Sequence, residues 1–209
     1  MKKILSAIII SGLFVFGTVC LVNSQEAEQT TPILNNEKKL SFQETLKKAN
    51  SGDISAQYSL GMMYYDGVVV AQDLKAAIKW FTEAAERGSI FAQNKLGEMY
   101  YRGEGVTQDH KEAIKWYSIA AELGYAEAQY NLGYMYFSDN AITQDYLHAL
   151  MWSYIASAHA TNNEIRKKAV DLSNEIALKM SKNQILEAQK LAKEWTEKKE
   201  QAKIVTPLS

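Results

Sequence analysis

The sequence predicts an all-α fold in which helical hairpins stack one after another. The stretch AIKWFTEAAERG, which begins at Ala77, returns as AIKWYSIAAELG at Ala113, 36 residues later. Apolar residues within each copy also recur every three or four positions, which is the period of an α-helix and not of a strand. A repeat period of roughly 20–50 residues is typical of stacked architectures, so the repeated array is expected to form the body of the fold.

The composition fits a globular domain and excludes some classes of function. The 209 residues are 47% hydrophobic and include only two prolines and eleven glycines, which suits one folded domain and not a fibrous or disordered chain. The formal net charge of −1 lacks the basic character of a nucleic-acid-binding protein, so no DNA or RNA partner is expected. Cys20 is the only cysteine, so no intrachain disulfide can form.

Residues 1–24 have the layout of a secretory signal peptide. Lys2 and Lys3 precede an uncharged apolar run at 4–22, after which the chain becomes polar. We expect cleavage before Gln25, although an apolar run of this length could also span a bilayer and anchor the chain to the inner membrane. Both interpretations predict export, to the periplasm or out of the cell, and membrane association only if the segment stays uncleaved.

Three copies of one unit follow, at 52–87, 88–123 and 124–159. They align without gaps when the chain is compared with itself at a shift of 36 residues. The columns that hold the same residues in every copy include Leu60-Gly61, Leu96-Gly97 and Leu132-Gly133, then Tyr64, Tyr100 and Tyr136, and finally Trp80, Trp116 and Trp152. The tryptophans lie in the apolar stripe of each copy, so we interpret them as core residues that pack between hairpins.

Each copy is predicted to form two helices joined by a turn. In the first copy Ala56, Leu60 and Tyr64 lie four residues apart and form one apolar stripe. The glycine after each leucine carries no side chain, so the neighbouring helix can approach closely. The second helices are predicted to begin after aspartates that cap their N–H groups, and these are Asp73, Asp109 and Asp145.

The flanks of the array are predicted to cap it. Ser41 and Glu44 have the spacing of a capping box, which predicts a short N-terminal capping helix over 41–51 after a flexible linker at 25–40. Apolar residues at helical spacing predict C-terminal capping helices within 160–200. Residues 201–209 show no periodicity and are predicted to be a tail.

The repeat pattern resembles a known family. A-x-x-x-L-G-x-x-Y, then G-x-G-V, Q-D, A-x-x-W-[FY] and A-A, is similar to the Sel1-like repeat, a relative of the tetratricopeptide repeat. The resemblance covers residues 52–159 and implies a right-handed α/α solenoid with terminal capping helices. The sequence departs from the pattern at Asp139-Asn140-Ala141, which replaces the glycine turn of the third copy, and at Val69 in the first copy.

No catalytic, cofactor or metal site is predicted, and we expect a protein that is not an enzyme. The sequence has no Ser-x-x-Lys, His-Glu-x-x-His or Cys-x-x-Cys motif and no phosphate-binding glycine loop. His110 and His148 occupy columns that hold other residues in the other copies, so we interpret them as surface residues. A β-lactam hydrolase, an activity suggested for cysteine-rich relatives of the repeat, is a remote alternative because the chain lacks their paired cysteines and a nucleophile.

Function is expected in the variable columns of the first helices, which line the concave face in tetratricopeptide-like stacks. Aromatic and polar residues in these columns predict a groove for a peptide or helix of a partner protein, since Tyr and Phe offer large contact areas at small entropic cost. The chain would then be an interaction scaffold of the cell envelope. The candidate groove residues are Tyr58, Met62, Tyr65, Phe91, Asn94, Glu98, Tyr101, Arg102, Glu127, Tyr130, Tyr134 and Phe137.

Two other interpretations of these residues stay open. Some of the aromatic side chains, Tyr65, Tyr101 and Phe137 in particular, can instead complete the core between hairpins, as aromatic residues at helical spacing often do. The same aromatics with amides beside them would also suit a glycan or a peptidoglycan fragment at the bacterial envelope.

Overall fold

The computed structural model describes residues 24–138 and 144–205. Over these residues the chain consists of α-helices joined by turns, without a strand, which confirms the predicted all-α solenoid class. The helices are α1 (Ser24–Asn50), α2 (Ile54–Asp66), α3 (Leu74–Glu86), α4 (Ile90–Arg102), α5 (His110–Glu122), α6 (Ala126–Ser138), α7 (Tyr146–His159), α8 (Asn163–Ala177) and α9 (Lys182–Val205). The predicted signal peptide, up to residue 23, and the segment Asp139-Asn140-Ala141 lie outside the described residues.

The chain divides into two units between Lys39 and Leu40. The described part of the first unit, residues 24–39, belongs to α1, so the predicted linker at 25–40 is helical. The predicted helix start at Ser41 is also wrong, because Ser41 lies inside α1 and its carbonyl accepts a 2.9 Å hydrogen bond from the Thr45 hydroxyl. The prediction relied on an apolar period, which this segment lacks. Its Glu, Gln, Ala and Lys residues favour a helix through their intrinsic propensity instead.

Three hairpins, α2–α3, α4–α5 and α6–α7, form the repeated body of the second unit, and the two helices of each hairpin pack on each other. The predicted aspartate caps are confirmed. The Asp73 carboxylate accepts a 2.9 Å hydrogen bond from the Ala76 N–H, and Asp109 and Asp145 accept equivalent bonds at the starts of α5 and α7. Gly67, with a φ of 67°, ends α2 in the left-handed region that favours glycine.

The glycines of the Leu-Gly columns lie where helices touch. A Cβ atom on Gly61 would lie 2.5 Å from the Phe81 ring, and one on Gly97 would lie 2.6 Å from the Tyr117 ring. Both rings come from the second helix of the same hairpin. The close approach predicted for these glycines is therefore present, and it brings a ring of α3 or α5 beneath the first helix.

The tryptophan column is buried at both ends of the array and half-buried in its middle. Trp80 and Trp152 are 8% and 6% exposed, as predicted for core residues. Trp116 is only partly buried, and the Lys115 ammonium lies 5.5 Å from its ring centroid. The core prediction is confirmed for Trp80 and Trp152 and holds only in part for Trp116.

Buried glutamines join each hairpin to the helix before it. Each glutamine Nε2 donates to a backbone carbonyl in the last turn of the preceding helix, where carbonyls lack helical partners. The bonds run from Gln57 to Ala49 (3.3 Å), from Gln93 to Ala85 (3.0 Å) and from Gln129 to Ala121 (3.0 Å). The same contact therefore secures three successive junctions.

Helices α8 and α9 cover the end of the array, as predicted for C-terminal capping helices. Ile176 of α8 and Ala188 of α9 are buried together with Leu150 of α7. The N-terminal end of α9 has a capping box in which the Ser181 N–H donates to Gln184 Oε1 at 2.9 Å. Helix α9 continues to Val205, so residues 201–205 of the predicted tail are helical. No helix within 24–138 or 144–205 has the length and apolarity required to cross a membrane.

Candidate functional site

All twelve candidate groove residues lie on α2, α4 or α6, the first helices of the three hairpins. Half of them line one pocket of about 280 Å³. The pocket residues that had been predicted are Glu98, Tyr101, Arg102, Glu127, Tyr130 and Tyr134. The prediction missed four further lining residues, which are Tyr117, Asn131, Ile165 and Lys168.

Glu98 forms ion pairs with two cations of α4 beside the pocket. Its carboxylate lies 2.7 Å from the Lys95 ammonium and 3.0 Å from the Arg102 guanidinium, which are its neighbours at i−3 and i+4. Arg102 also reaches Glu104, at 3.5 Å. The carboxylate of Glu98 raises the pKa of Arg102 further above its ordinary value, so this cation stays charged at every physiological pH.

Tyr65 ties α2 to these charges but does not line the pocket. Its hydroxyl donates a 2.7 Å hydrogen bond to Glu104, and the Lys95 ammonium lies 4.5 Å from its ring centroid. Burial and the hydrogen bond to Glu104 raise the pKa of Tyr65 to about 12. Tyr65 therefore acts as a brace between the first hairpin and the turn that follows α4.

Tyr117 also lines the pocket. It lies on α5, its ring packs against Gly97, and the whole residue is only 3% exposed. Burial raises the pKa of its hydroxyl well above the ordinary value, and the negative charge of Glu98 adds to the rise. The hydroxyl therefore stays protonated at physiological pH.

Glu127 supplies a carboxylate from the α6 side. It lies in the first turn of α6 and accepts a 2.9 Å hydrogen bond from the Tyr125 hydroxyl. Burial, together with the charge and the hydrogen bond of Glu127, raises the pKa of Tyr125 above its ordinary value. Its place in the first turn of α6 lets the helix dipole favour the carboxylate there.

The remaining wall comes from α8, outside the repeats. Ile165 and Lys168 line the pocket there, and the Lys168 ammonium is paired with Glu164 at 2.6 Å. The repeat alignment could not indicate these two residues, because α8 has no counterpart in the other copies. The available signal was the helical spacing of apolar residues within 160–200, and it predicted only capping helices.

The other candidate residues lie away from the pocket or behind its wall. Asn94 is 7% exposed and accepts a 3.2 Å hydrogen bond from Asn131, so it joins α4 to α6 instead of presenting its amide to a ligand. Met62 packs on the core between α3 and α4. Phe137 packs on the core beneath α7 and α8, with its ring centroid 5.9 Å from that of Tyr146.

Tyr58 and Phe91 form a second feature beside the pocket. Their ring centroids lie 5.9 Å apart, Tyr58 also lies 5.7 Å from Phe81, and Phe91 meets Tyr125 edge-on at 5.5 Å. Phe91 is 51% exposed. This aromatic row therefore runs from the core of the first hairpin to the residue before α6 and presents one ring to solvent.

Across residues 24–138 and 144–205, no cluster of three or more His, Cys, Asp or Glu side chains is placed to hold a metal ion. His148 lies 2.6 Å from the Asp145 carboxylate that caps its own helix. The pocket combines phenol hydroxyls, paired charges and ring faces, which bind polar and cationic groups by hydrogen bonding and by cation–π attraction.

Comparisons with known proteins agree with the repeat interpretation. A family model described as Sel1 repeat matches residues 54–89, 90–125 and 126–160. The crystal structure of a Sel1 repeat protein from Oxalobacter formigenes is 36% identical, covers 63% of this chain and 98% of that chain, and superposes with a TM-score of 0.55.

Two further similarities cover smaller parts of the matching proteins. The structure of c5321, a protective antigen present in uropathogenic Escherichia coli strains, is 26% identical and covers 75% of this chain and 40% of that chain, with a TM-score of 0.48. The sel1-like repeat-containing protein L18 of Acanthamoeba polyphaga mimivirus is 49% identical over 37 residues, which is 18% of this chain and 6% of that protein. The chain thus spans a small fraction of the length of L18.

Proposed function

The chain belongs to the Sel1 repeat family, and on that premise we propose that it is a non-enzymatic scaffold that holds a segment of a partner protein in the groove along α2, α4 and α6. Sel1 repeat proteins generally act as protein–protein interaction scaffolds. The finer proposal concerns the place of contact, which we assign to the pocket between α4, α6 and α8.

The observation that carries this proposal is the composition of that pocket. Four tyrosines, Tyr101, Tyr117, Tyr130 and Tyr134, converge there from three helices. Tyrosine dominates protein-binding surfaces because a stiff ring with a polar tip gives contact area and a hydrogen bond at low entropic cost. Tyr134 is 39% exposed and Arg102 is more than half exposed, so both are accessible to a partner.

We further propose that the scaffold works outside the cytoplasm. The support for this is the signal-peptide layout of residues 1–24, in which two lysines precede an uncharged apolar run. The partner would then be another exported or envelope protein. Labelling the N-terminus of the chain isolated from its own host tests the location, because cleavage before Gln25 and a membrane-free fraction are expected.

The groove is tested by crosslinking capture with the full chain, tagged at its C-terminus. The double variant Tyr130→Ala/Tyr134→Ala removes two rings from the pocket. The matched control Leu178→Ala/Leu186→Ala removes two exposed apolar side chains, one from the turn after α8 and one from α9. A partner that is captured by the wild type and the control but not by the pocket variant supports the proposal.

Two results would contradict the proposed groove. Capture that survives the pocket variant would place the contact elsewhere on the scaffold. Binding of a labelled peptidoglycan fragment to the wild type, lost in the pocket variant while protein capture stays intact, would favour the glycan alternative. All variants are compared only after their thermal melts have been shown to match that of the wild type.

A further inference from the structure

We propose that the pocket between α4, α6 and α8 receives a cationic side chain, a lysine or an arginine, of the partner segment. This inference rests on the proposed function and adds the chemistry by which the site would recognise its ligand. It is carried by the pairing of charges around the pocket, by the arrangement of its rings and by its size.

The described charges around the pocket leave one carboxylate without a cation. Arg102, Lys168, Glu98 and Glu127 line the pocket. With their ion-pair partners behind the lining, the group has three cations and four carboxylates, the partners being Lys95, Glu104 and Glu164. Each cation lies within 3.0 Å of a carboxylate of its own helix, because Lys95 and Arg102 share Glu98 and Lys168 is paired with Glu164.

Glu127 carries the excess negative charge. One of its carboxylate oxygens accepts the 2.9 Å hydrogen bond from the neutral Tyr125 hydroxyl. Its charge also adds to the effect of Glu164 that raises the pKa of Lys168, but the ion pair of Lys168 is made with Glu164. After burial and the charge of Glu98, the charge of Glu127 also helps to raise the pKa of Tyr117, so the field of Glu127 reaches the α5 residue of the pocket lining. A partner ammonium or guanidinium placed there would restore neutrality.

The rings of the pocket favour the same kind of group. Cations are attracted to the faces of tyrosine rings within about 6 Å of the centroid. Tyr130 and Tyr134 lie one helical turn apart on α6, with their ring centroids 6.4 Å from each other. The chain already uses this interaction next to the pocket, where the Lys95 ammonium lies 4.5 Å from the centroid of Tyr65.

The size of the pocket suits one side chain. Sites for drug-sized ligands span roughly 300–1,000 Å³, and this pocket measures about 280 Å³. A single long side chain, inserted from a peptide that lies along the groove, matches both the volume and the one carboxylate without a cation. An acidic anchor is disfavoured, because it would compete with Glu98 and Glu164 for cations that are already paired.

The experiment is selection from an array of blocked random heptapeptides by the full chain, with three proteins compared. The wild type is expected to select peptides with Lys or Arg at one position. Glu127→Gln keeps the acceptor for Tyr125 but removes the charge. Its affinity for the selected peptides should fall about tenfold, the typical effect of losing one charge-assisted hydrogen bond. Glu44→Gln, which removes an exposed carboxylate on α1, should bind like the wild type.

The outcomes separate this inference from the proposed function. Peptides selected without a basic position, or a basic preference that Glu127→Gln retains, would overturn the inference and leave the scaffold function in place. Selection of acidic peptides would overturn it as well and would make Arg102 and Lys168 the recognition charges. If none of the three proteins selects any peptide, the proposed function fails and the inference fails with it.

Discussion

The first and second hairpins have the same arrangement of helices but differ at one equivalent position, Phe81 in the first and Tyr117 in the second. In the first hairpin the residue beneath the Leu-Gly glycine is Phe81, which is fully buried. In the second it is Tyr117, whose ring packs equally closely against Gly97 and which also lines the pocket. Equivalent positions in the two hairpins therefore hold a core residue in one copy and a pocket-lining residue in the other.

The residues around Phe81 are apolar, whereas those around Tyr117 include charged groups. Below α2, Phe81 meets Tyr58 at 5.7 Å, so the first hairpin fills the space with rings. Around α4, Glu98 and Arg102 form an ion pair at 3.0 Å beside Tyr117. The repeat conserves the helix packing and varies the polarity around it, so binding chemistry can change from copy to copy while the fold does not.

The largest expected effect tests whether the shared column holds both hairpins together. Phe81→Ala and Tyr117→Ala each delete a buried ring, and each should lower the free energy of unfolding by about 3–5 kcal/mol. Tyr117→Phe keeps the ring and should unfold within about 1 kcal/mol of the wild type. Urea denaturation measures all three, and a loss below about 1 kcal/mol for Tyr117→Ala would remove Tyr117 from the core.

The next effect compares the glycines above that column. Gly97→Ala places a Cβ atom 2.6 Å from the Tyr117 ring, and overpacking of this kind costs about 1–3 kcal/mol. Gly133→Ala is the matched variant in the third hairpin, where the nearest atom would be Ser153 Oγ at 3.0 Å. Since alanine also favours helices by about 1 kcal/mol, Gly133→Ala should be nearly neutral. Equal destabilisation of the two variants would contradict the tighter packing of the second hairpin.

A smaller effect concerns the junction between the two hairpins. Gln93→Leu removes the donor to the Ala85 carbonyl, which keeps its 3.0 Å bond from the Gly88 N–H. The expected cost is the net value of one hydrogen bond, about 0.5–1.5 kcal/mol. Gln108→Leu is the control, because its 2.7 Å bond to the Tyr101 carbonyl is exposed and water can replace it. The melting temperature should fall for Gln93→Leu and stay close to that of the wild type for Gln108→Leu.

The smallest effect appears at alkaline pH, through the brace between the hairpins. The pKa of Tyr65 is raised from 10.0 to about 12, so its contribution to stability is complete below pH 10 and is lost as the pH rises through 12. Tyr65→Phe also removes the hydrogen bond to Glu104, which costs about 1 kcal/mol at neutral pH. The difference in unfolding free energy between the two proteins should therefore shrink between pH 10 and 12. A constant difference would show that the phenol is not the titrating group.

The fold was predictable because the positions that pack or cap helices hold the same residue in every copy of the repeat. Alignment at a shift of 36 residues exposed the Leu-Gly columns and the capping aspartates, and Asp73 and Gly97 have the roles that were expected of them. Trp116 was overestimated as a core residue, because the columns cannot tell which copies bury a shared side chain fully. The helix that starts at Ser24 was missed, because it has no apolar period.

The candidate site was predictable only where it lies within the repeat. Residues on α4 and α6 were found because their columns vary. Tyr117 was missed because it follows a tryptophan in the apolar stripe of α5. That position indicated a core residue and gave no sign of a pocket. Ile165 and Lys168 were missed because α8 lies outside the period, and only tertiary packing brings it to the pocket.

The buried glutamines also escaped notice, although Gln57, Gln93 and Gln129 occupy one column. Each recurs within the apolar face of a first helix, and nothing local in the sequence reveals that a helix end lies opposite. The bonds of Gln93 and Gln129 cross from one hairpin to the next, and that of Gln57 joins the first hairpin to α1. Every unit of 36 residues therefore carries the side chain that bonds it to the helix before it. Recombination that adds or deletes one whole unit would therefore leave every remaining junction bonded, and the array could change length during evolution without inventing a new interface.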